Sequence, residues 1–145
     1  MSVKQISVFL ENKPGALCKM TEVLAANKVD MRALSLAETN DFGIVRLIVN
    51  NVYEATTVLK DAGFIHNVTS VLCVAIPDTP GGLHQVIEVL QEQKINIEYM
   101  YAFLGGQKSQ HAYMIFRVHD RKIAAAALRA KGIEVIDQDD IGLHL

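Results

Sequence analysis

The chain has 145 residues, 50% of them apolar and 21% charged, with a formal net charge of −2. That length fits one ordinary domain or two small ones, and the balance is that of a globular protein. It supplies no basic field to hold nucleic acid or an anionic membrane, and no apolar run long enough to span a bilayer.

Taken in order, Met1-Ser2-Val3-Lys4 leads directly into a strand pattern without signal-peptide architecture. Over Gln5–Leu10, Ile6, Val8 and Leu10 alternate onto one face, the strand period. After Asn12-Lys13-Pro14-Gly15-Ala16-Leu17, the residues Leu17, Met20 and Leu24 recur at helical spacing. A second strand is predicted from Met31 to Ala37 and a third over Gly43–Asn50. Ala55, Val58, Leu59 and Ala62 stripe a second helix, which Gly63 stops as a residue free to take positive φ. A short fourth strand, Phe64–Val68, follows.

The same series of signals then returns. Val71–Ile76 matches the first strand, and Leu83, Val86, Ile87 and Leu90 match the first helix. Ile97–Phe103 and His111–His119 match the middle strands. Ala124, Ala127 and Leu128 match the second helix, Gly132 its stop, and Ile133–Asp137 the last strand. Pro14, Gly15 and Leu17 recur as Pro80, Gly81 and Leu83, and Lys28 as Lys94. The chain is therefore an internal duplication. It is of the α+β class: two ferredoxin-like β-α-β-β-α-β domains in tandem, residues 1–69 and 70–145, each an antiparallel sheet with helices on one face. Asp140–Leu145 resembles the first strand a third time and is expected to complete a sheet edge.

Strand parity assigns faces. Leu34, Leu36, Met100 and Ala102 should face the helices, as should Val45, Leu47 and Val49 and their counterparts Met114, Phe116 and Val118. Tyr99, Tyr101, Phe103, Ile44, Ile48, Tyr113 and Ile115 then share the other face with Arg46 and Arg117. An apolar face of that extent needs a cover, and a sheet-to-sheet contact in a homodimer is the expectation.

The arrangement now has a likeness. A strand, then Asn12-Lys13-Pro14-Gly15-Ala16-Leu17 or Asp78-Thr79-Pro80-Gly81-Gly82-Leu83, then a helix, then Val29-Asp30-Met31 or Ile95-Asn96-Ile97 entering the second strand, resembles an ACT domain. The resemblance occurs twice and covers nearly the whole chain; the first copy departs from it in having Asn12 where an Asp is common. It implies a regulatory module that binds amino acids at interfaces between neighbouring domains and has no catalytic role. With no catalytic domain alongside in this sequence, it implies action in trans on a metabolic enzyme or regulator.

The residues suit that task. Pro14 and Pro80 fix φ, and Gly15 and Gly81 let a ligand approach the backbone. The helix starts at Ala16 or Gly82 offer amides and a positive dipole end to a carboxylate. Asp78, and more weakly Asn12, can accept from an ammonium, and the backbone around Asp30-Met31 and Asn96-Ile97 can take further donors. Leu17 and Leu83 can meet the ligand side chain. The second copy, with its carboxylate and the extra room of Gly82, is the stronger candidate. The competing reading is that Asn12 and Asp78 only cap the turn or helix.

Cofactors, catalytic residues and metal ligands are not expected. His66, His84, His111, His119 and His144 show no metal spacing, and no nucleophile–base pair stands out. Cys18 and Cys73 are isolated, so reduced thiols in a cytoplasmic protein are expected, with Cys18 a small buried side chain. Gly105-Gly106 reads as a hairpin tip, and Ala124–Ala127 as a closely packed helix. An RNA-binding ferredoxin-like module is the alternative of another class, but the third strands lack its basic-aromatic pattern. A ligand-free scaffold is the other.

Overall fold

The computed structural model describes residues 2–38, 40–103 and 111–143, with only the backbone of 142 and 143. Gly105-Gly106 and His144 lie outside the described residues. The chain divides into two compact units, one of Lys4–Thr69 and one that joins Ser2 and Val3 to the residues from Ser70 onward. The element order is β1 (Val3–Glu11), α1 (Ala16–Ala26), β2 (Met31–Glu38), β3 (Phe42–Val49), α2 (Val52–Asp61) and β4 (Ile65–Pro77). It continues through α3 (Gly82–Glu92), β5 (Ile97–Ala102), β6 (His111–Val118), α4 (Arg121–Ala130), β7 (Val135–Ile136) and α5 (Gln138–Leu143). This is the tandem β-α-β-β-α-β plan, with two differences.

The expected fourth strand of the first half and first strand of the second are one unbroken strand, β4; only Thr69 and Ser70, with no Gly or Pro, separate Val68 from Val71. The second difference lies at the C-terminus. Asp140 and the residues up to Leu143 form part of helix α5, not a strand. The Asp137 amide donates to Asp140 Oδ2 (3.1 Å) and the Asp140 amide donates to the Asp137 carbonyl (3.0 Å), which turns the chain. Asp139 and Asp140 then sit in the first helical turn, where carboxylates oppose the dipole favourably. The last two residues of the expected strand are outside the described range.

Strand order is β2-β3-β1 in the first unit and β5-β6-β4-β7 in the second, all antiparallel. Each unit has its own core. In the first, Ile6, Val8 and Leu10 of β1 and Val45, Leu47 and Val49 of β3 pack against Met20 and Leu24 of α1 and Ala55 and Leu59 of α2. In the second, Leu72, Val74 and Ile76 with Phe116 and Val118 pack against Val86, Val89, Leu90, Ala124 and Leu128. The helix-facing assignment of β3 and β6 holds.

Strands β2 and β5 each carry a bulge, between Met31 and Ala33 and between Ile97 and Tyr99. Met31 and Leu34, three positions apart, therefore both reach the first core, and Ile97 and Met100 both reach the second. The opposite faces are covered to a greater extent than parity suggested. Ile48 and Ile115 are fully buried within one chain, and Tyr101 and Tyr113 nearly so, while Ile44, Arg46, Tyr99 and Arg117 are half-buried. A second copy is therefore not needed to bury the most apolar of these residues. Among the described residues, no helix is long and apolar enough to cross a membrane.

Candidate functional site

The two Pro-Gly turns have one backbone form. Gly15 takes φ 90° and Gly81 φ 87°, the left-handed region, and each is the residue from which a helix starts. Neither helix has a side-chain cap. The other two long helices do: Asn51 Oδ1 accepts from the Glu54 amide at 3.0 Å on α2, and Asp120 Oδ1 from the Ile123 amide at 3.2 Å on α4. In α1 the first closed bonds are Ala16 N–H to Lys13 O (3.4 Å) and Lys19 N–H to Gly15 O (3.0 Å). In α3 they are Gly82 N–H to Thr79 O (3.0 Å) and Gln85 N–H to Gly81 O (3.1 Å). The amides of Leu17 and Cys18, and of Leu83 and His84, are left without a partner among the described residues.

Asn12 and Asp78 are thus not helix caps. Asn12 Nδ2 donates to Glu38 Oε2 at 3.1 Å, which leaves its amide oxygen as an acceptor. Asp78 is exposed and makes no bond among the described residues.

Beside the first turn lies a cleft of about 390 Å³. Its apolar walls are Leu10, Leu17 and Leu36, and its polar rim is Glu11, Asn12, Lys13 and Glu38. Sheet register explains the convergence. Gly43 on β3 pairs with Leu10 on one side and with Glu38 on the other, so the end of β2 lies one strand away from the turn that follows β1. Leu36 has the parity of a helix-facing residue but lines this cleft with Ala16 and Leu17 of the first turn of α1, and it is 56% exposed. Glu11 and Lys13 pair with each other at 2.9 Å on the surface. Glu38, Leu36, Leu10 and Gly43 were not singled out from sequence; the signal was the hairpin register, which follows only once the β2–β3 turn is placed. On the other flank of the same turn, Phe9, Pro14, Gly15 and Lys19 face Gly63–Ile65 across a second cleft of about 550 Å³.

Asp30 and Met31 do not join this cleft. They lie at the far end of α1, about 16 Å along an 11-residue helix. There the Asp30 amide donates to Asn50 Oδ1 and its carbonyl accepts from the Asn50 amide, both at 3.1 Å. The Asp30 carboxylate pairs with Arg32 at 3.2 Å. Asn96 and Ile97 are likewise at the far end of α3, in a separate shallow cleft with Lys94 and Gln91. Gly82 is buried, and a Cβ there would run into the Pro77 carbonyl. Its missing side chain lets the end of β4 touch the helix start; it does not make room for a ligand.

Cys18 is exposed, contrary to expectation, because its position on α1 points away from the sheet. Cys73 is buried, and desolvation with the nearby Asp140 carboxylate pushes its thiol up to about 12. Among the described residues no three His, Cys, Asp or Glu side chains gather as metal ligands.

A family model for an ACT domain pair matches residues 1–143, and the chain belongs to that family of regulatory modules. Protein BT0572 from Bacteroides thetaiotaomicron is similar at 36% identity and a TM-score of 0.90, over 99% of this chain and 97% of that one. The ligand-free regulatory subunit of aspartate kinase from Thermus thermophilus has a like fold at 18% identity and TM-score 0.65, over 89% of each chain. Its Thermus flavus counterpart stands at 17% identity and 0.63, over 90% of each. No curated protein matches the sequence.

Proposed function

We propose that this chain is an amino-acid sensor, with residues 1–69 and 70–145 each one ACT-like domain. In this reading the cleft beside Asn12–Leu17 holds a free amino acid. One observation carries it: α1 and α3 leave their first-turn amides open after a Pro-Gly turn, while α2 and α4 in the same chain are capped by Asn51 and Asp120. Open amides at a positive dipole end suit a carboxylate. Glu38 and the Asn12 carbonyl oxygen, fixed by their mutual bond, suit the ammonium. Leu10, Leu17 and Leu36 suit an apolar side chain. Asp78, Pro80, Gly81, Gly82 and Leu83 form the corresponding turn of the second half. Asp30, Met31, Asn96 and Ile97, held apart by a helix length, take part only where another copy of the chain brings them to a neighbour's turn.

The exposed Leu17, Leu36 and Phe42 around the first cleft favour a homodimer in which a second copy closes it. Binding then favours one arrangement of the copies, and that arrangement is reported to a metabolic enzyme or regulator acting in trans. The Thermus chains of like fold are regulatory subunits, a role of the same kind.

The test is a thermal-shift screen of the twenty common amino acids, followed by calorimetry on the best. At least one should raise the melting temperature. Glu38→Gln should weaken its binding about tenfold, the scale of a lost charge-assisted bond, and Gly15→Val should abolish it with the fold retained. Absence of any shift across the twenty would leave the scaffold reading standing in its place.

A further inference from the structure

The Ala124–Ala127 run is not used up by packing. Ala124 is in the core, but Ala125 is half-buried and Ala126 exposed. Along α4, Arg121, Ala125 and Arg129 follow one another at four-residue intervals, with Lys122 and Ala126 beside them. This row forms one wall of a cleft of about 410 Å³ whose floor is β4 at Val71–Cys73 and β7 at Val135–Ile136. The cleft is therefore apolar at its base and cationic along its rim. Arg121 and Arg129 lie about 12 Å apart along the helix, two turns and a little more.

Three features point to an anionic occupant. No carboxylate lines the cleft among the described residues, and no ion pair there engages Arg121, Lys122 or Arg129. The chain as a whole is slightly acidic, so three cations gathered on one cleft do not follow from general basicity. The duplication gives an internal comparison. The matching row on α2 is Val52, Thr56 and Lys60, with Tyr53 and Thr57 beside it, so a single cation stands where α4 has three. The fold needs the buried Ala55 and Leu59, matched by Ala124 and Leu128; it does not need the cations.

We propose that this cleft is a second ligand site, for a phosphate-bearing small molecule with an aromatic body, of nucleotide size. The guanidinium groups of Arg121 and Arg129 can take phosphate oxygens by paired N–H donors, and Lys122 adds a point charge. The small Ala125 and Ala126 and the β4–β7 floor leave room for an apolar ring against the helix. Inorganic phosphate would have no use for that floor. The volume is within the range of small-molecule sites, roughly 300–1,000 Å³. The assignment is independent of the amino-acid site, which lies in the other unit.

Titration calorimetry of the full chain with ATP, AMP and pyrophosphate at physiological salt tests it. ATP or AMP should bind saturably and at least fivefold more tightly than pyrophosphate. Arg121→Gln and Arg129→Gln should each weaken binding at least fivefold. Ala126→Trp, which fills the cleft from an exposed position on the α4 wall without changing charge, should abolish it. Lys60→Gln, an equal charge change on α2, should leave it intact. Circular dichroism checks that each variant is folded. Failure of both nucleotides to bind the folded chain overturns the proposal, as does equal binding of pyrophosphate or equal loss in Lys60→Gln. Capture of an acidic protein by this face without nucleotide binding also counts against it.

Discussion

At the scale of single residues, the glycines of the two turns do different work. Gly15 and Gly81 have nothing within 4 Å of where a Cβ would stand, so their requirement is the positive φ alone. Gly82 has an ordinary helical backbone, and its requirement is the Pro77 carbonyl at its back. Backbone cannot move aside as a flexible side chain can. Gly82→Ala should therefore destabilise by about 1–3 kcal/mol, as overpacking does. Gly15→Ala should cost about 1 kcal/mol, the price of the left-handed backbone for a residue with a Cβ. Urea unfolding of the two variants compares them directly; a smaller loss at Gly82 than at Gly15 would contradict the close-packing account. The motif was legible in sequence, but the reason for its second glycine was not. A glycine that admits a ligand and one that admits a carbonyl look the same in one dimension.

At the scale of elements, all four long helices end alike. Val29, Phe64, Ile95 and Ile133 donate from their amides to the carbonyls of Leu24, Leu59, Leu90 and Leu128 at 2.9–3.0 Å. The residue before each has positive φ: Gly63 (84°), Gly132 (76°), and Lys28 and Lys94 (both 56°). The lysines thus sit where glycine is favoured. Relief of about 1–2 kcal/mol of left-handed strain, offset in part by the freedom glycine gains in the unfolded chain, should leave Lys28→Gly and Lys94→Gly each about 0.5 kcal/mol more stable. Thermal unfolding should rise by about 1–2 °C per site; a fall at either would show that the lysine side chain holds something glycine loses. These helix ends were half visible: Gly63 and Gly132 announced themselves, and the lysines were seen only as a repeat. The bulges in β2 and β5 were invisible, because Met31 and Leu34 violate the period-two pattern that identifies a strand. The α5 helix was misread for the opposite reason. Ile141, Leu143 and Leu145 alternate as a strand would, and the hydrogen bonds between Asp137 and Asp140 override the alternation.

At the scale of the molecule, each unit has a complete core of its own, and the duplication has kept both cores while letting the surfaces diverge. The cleft beside Asn12–Leu17 stays open along Leu17 (36% exposed) and Leu36 (56%), and Phe42 (44%) is exposed next to Gly43. If a second copy closes the cleft, dimerisation and ligand binding are linked, and linkage is reciprocal: with one cleft per copy, saturating amino acid tightens the dimer by the square of the factor by which dimerisation tightens each site. Sedimentation equilibrium with and without the amino acid of largest thermal shift measures the first, and calorimetry at protein concentrations above and below the dimer midpoint measures the second. We expect the per-site factor to be at least tenfold and the factor on the dimer to equal its square within error. Phe42→Glu places a charge on an exposed apolar residue that does not line the cleft, and should weaken the dimer strongly while leaving the residual monomer folded and its amide-lined turn intact. Full amino-acid affinity in a protein that stays monomeric at every concentration would mean that the cleft is complete in one chain, and that the exposed leucines serve some other contact.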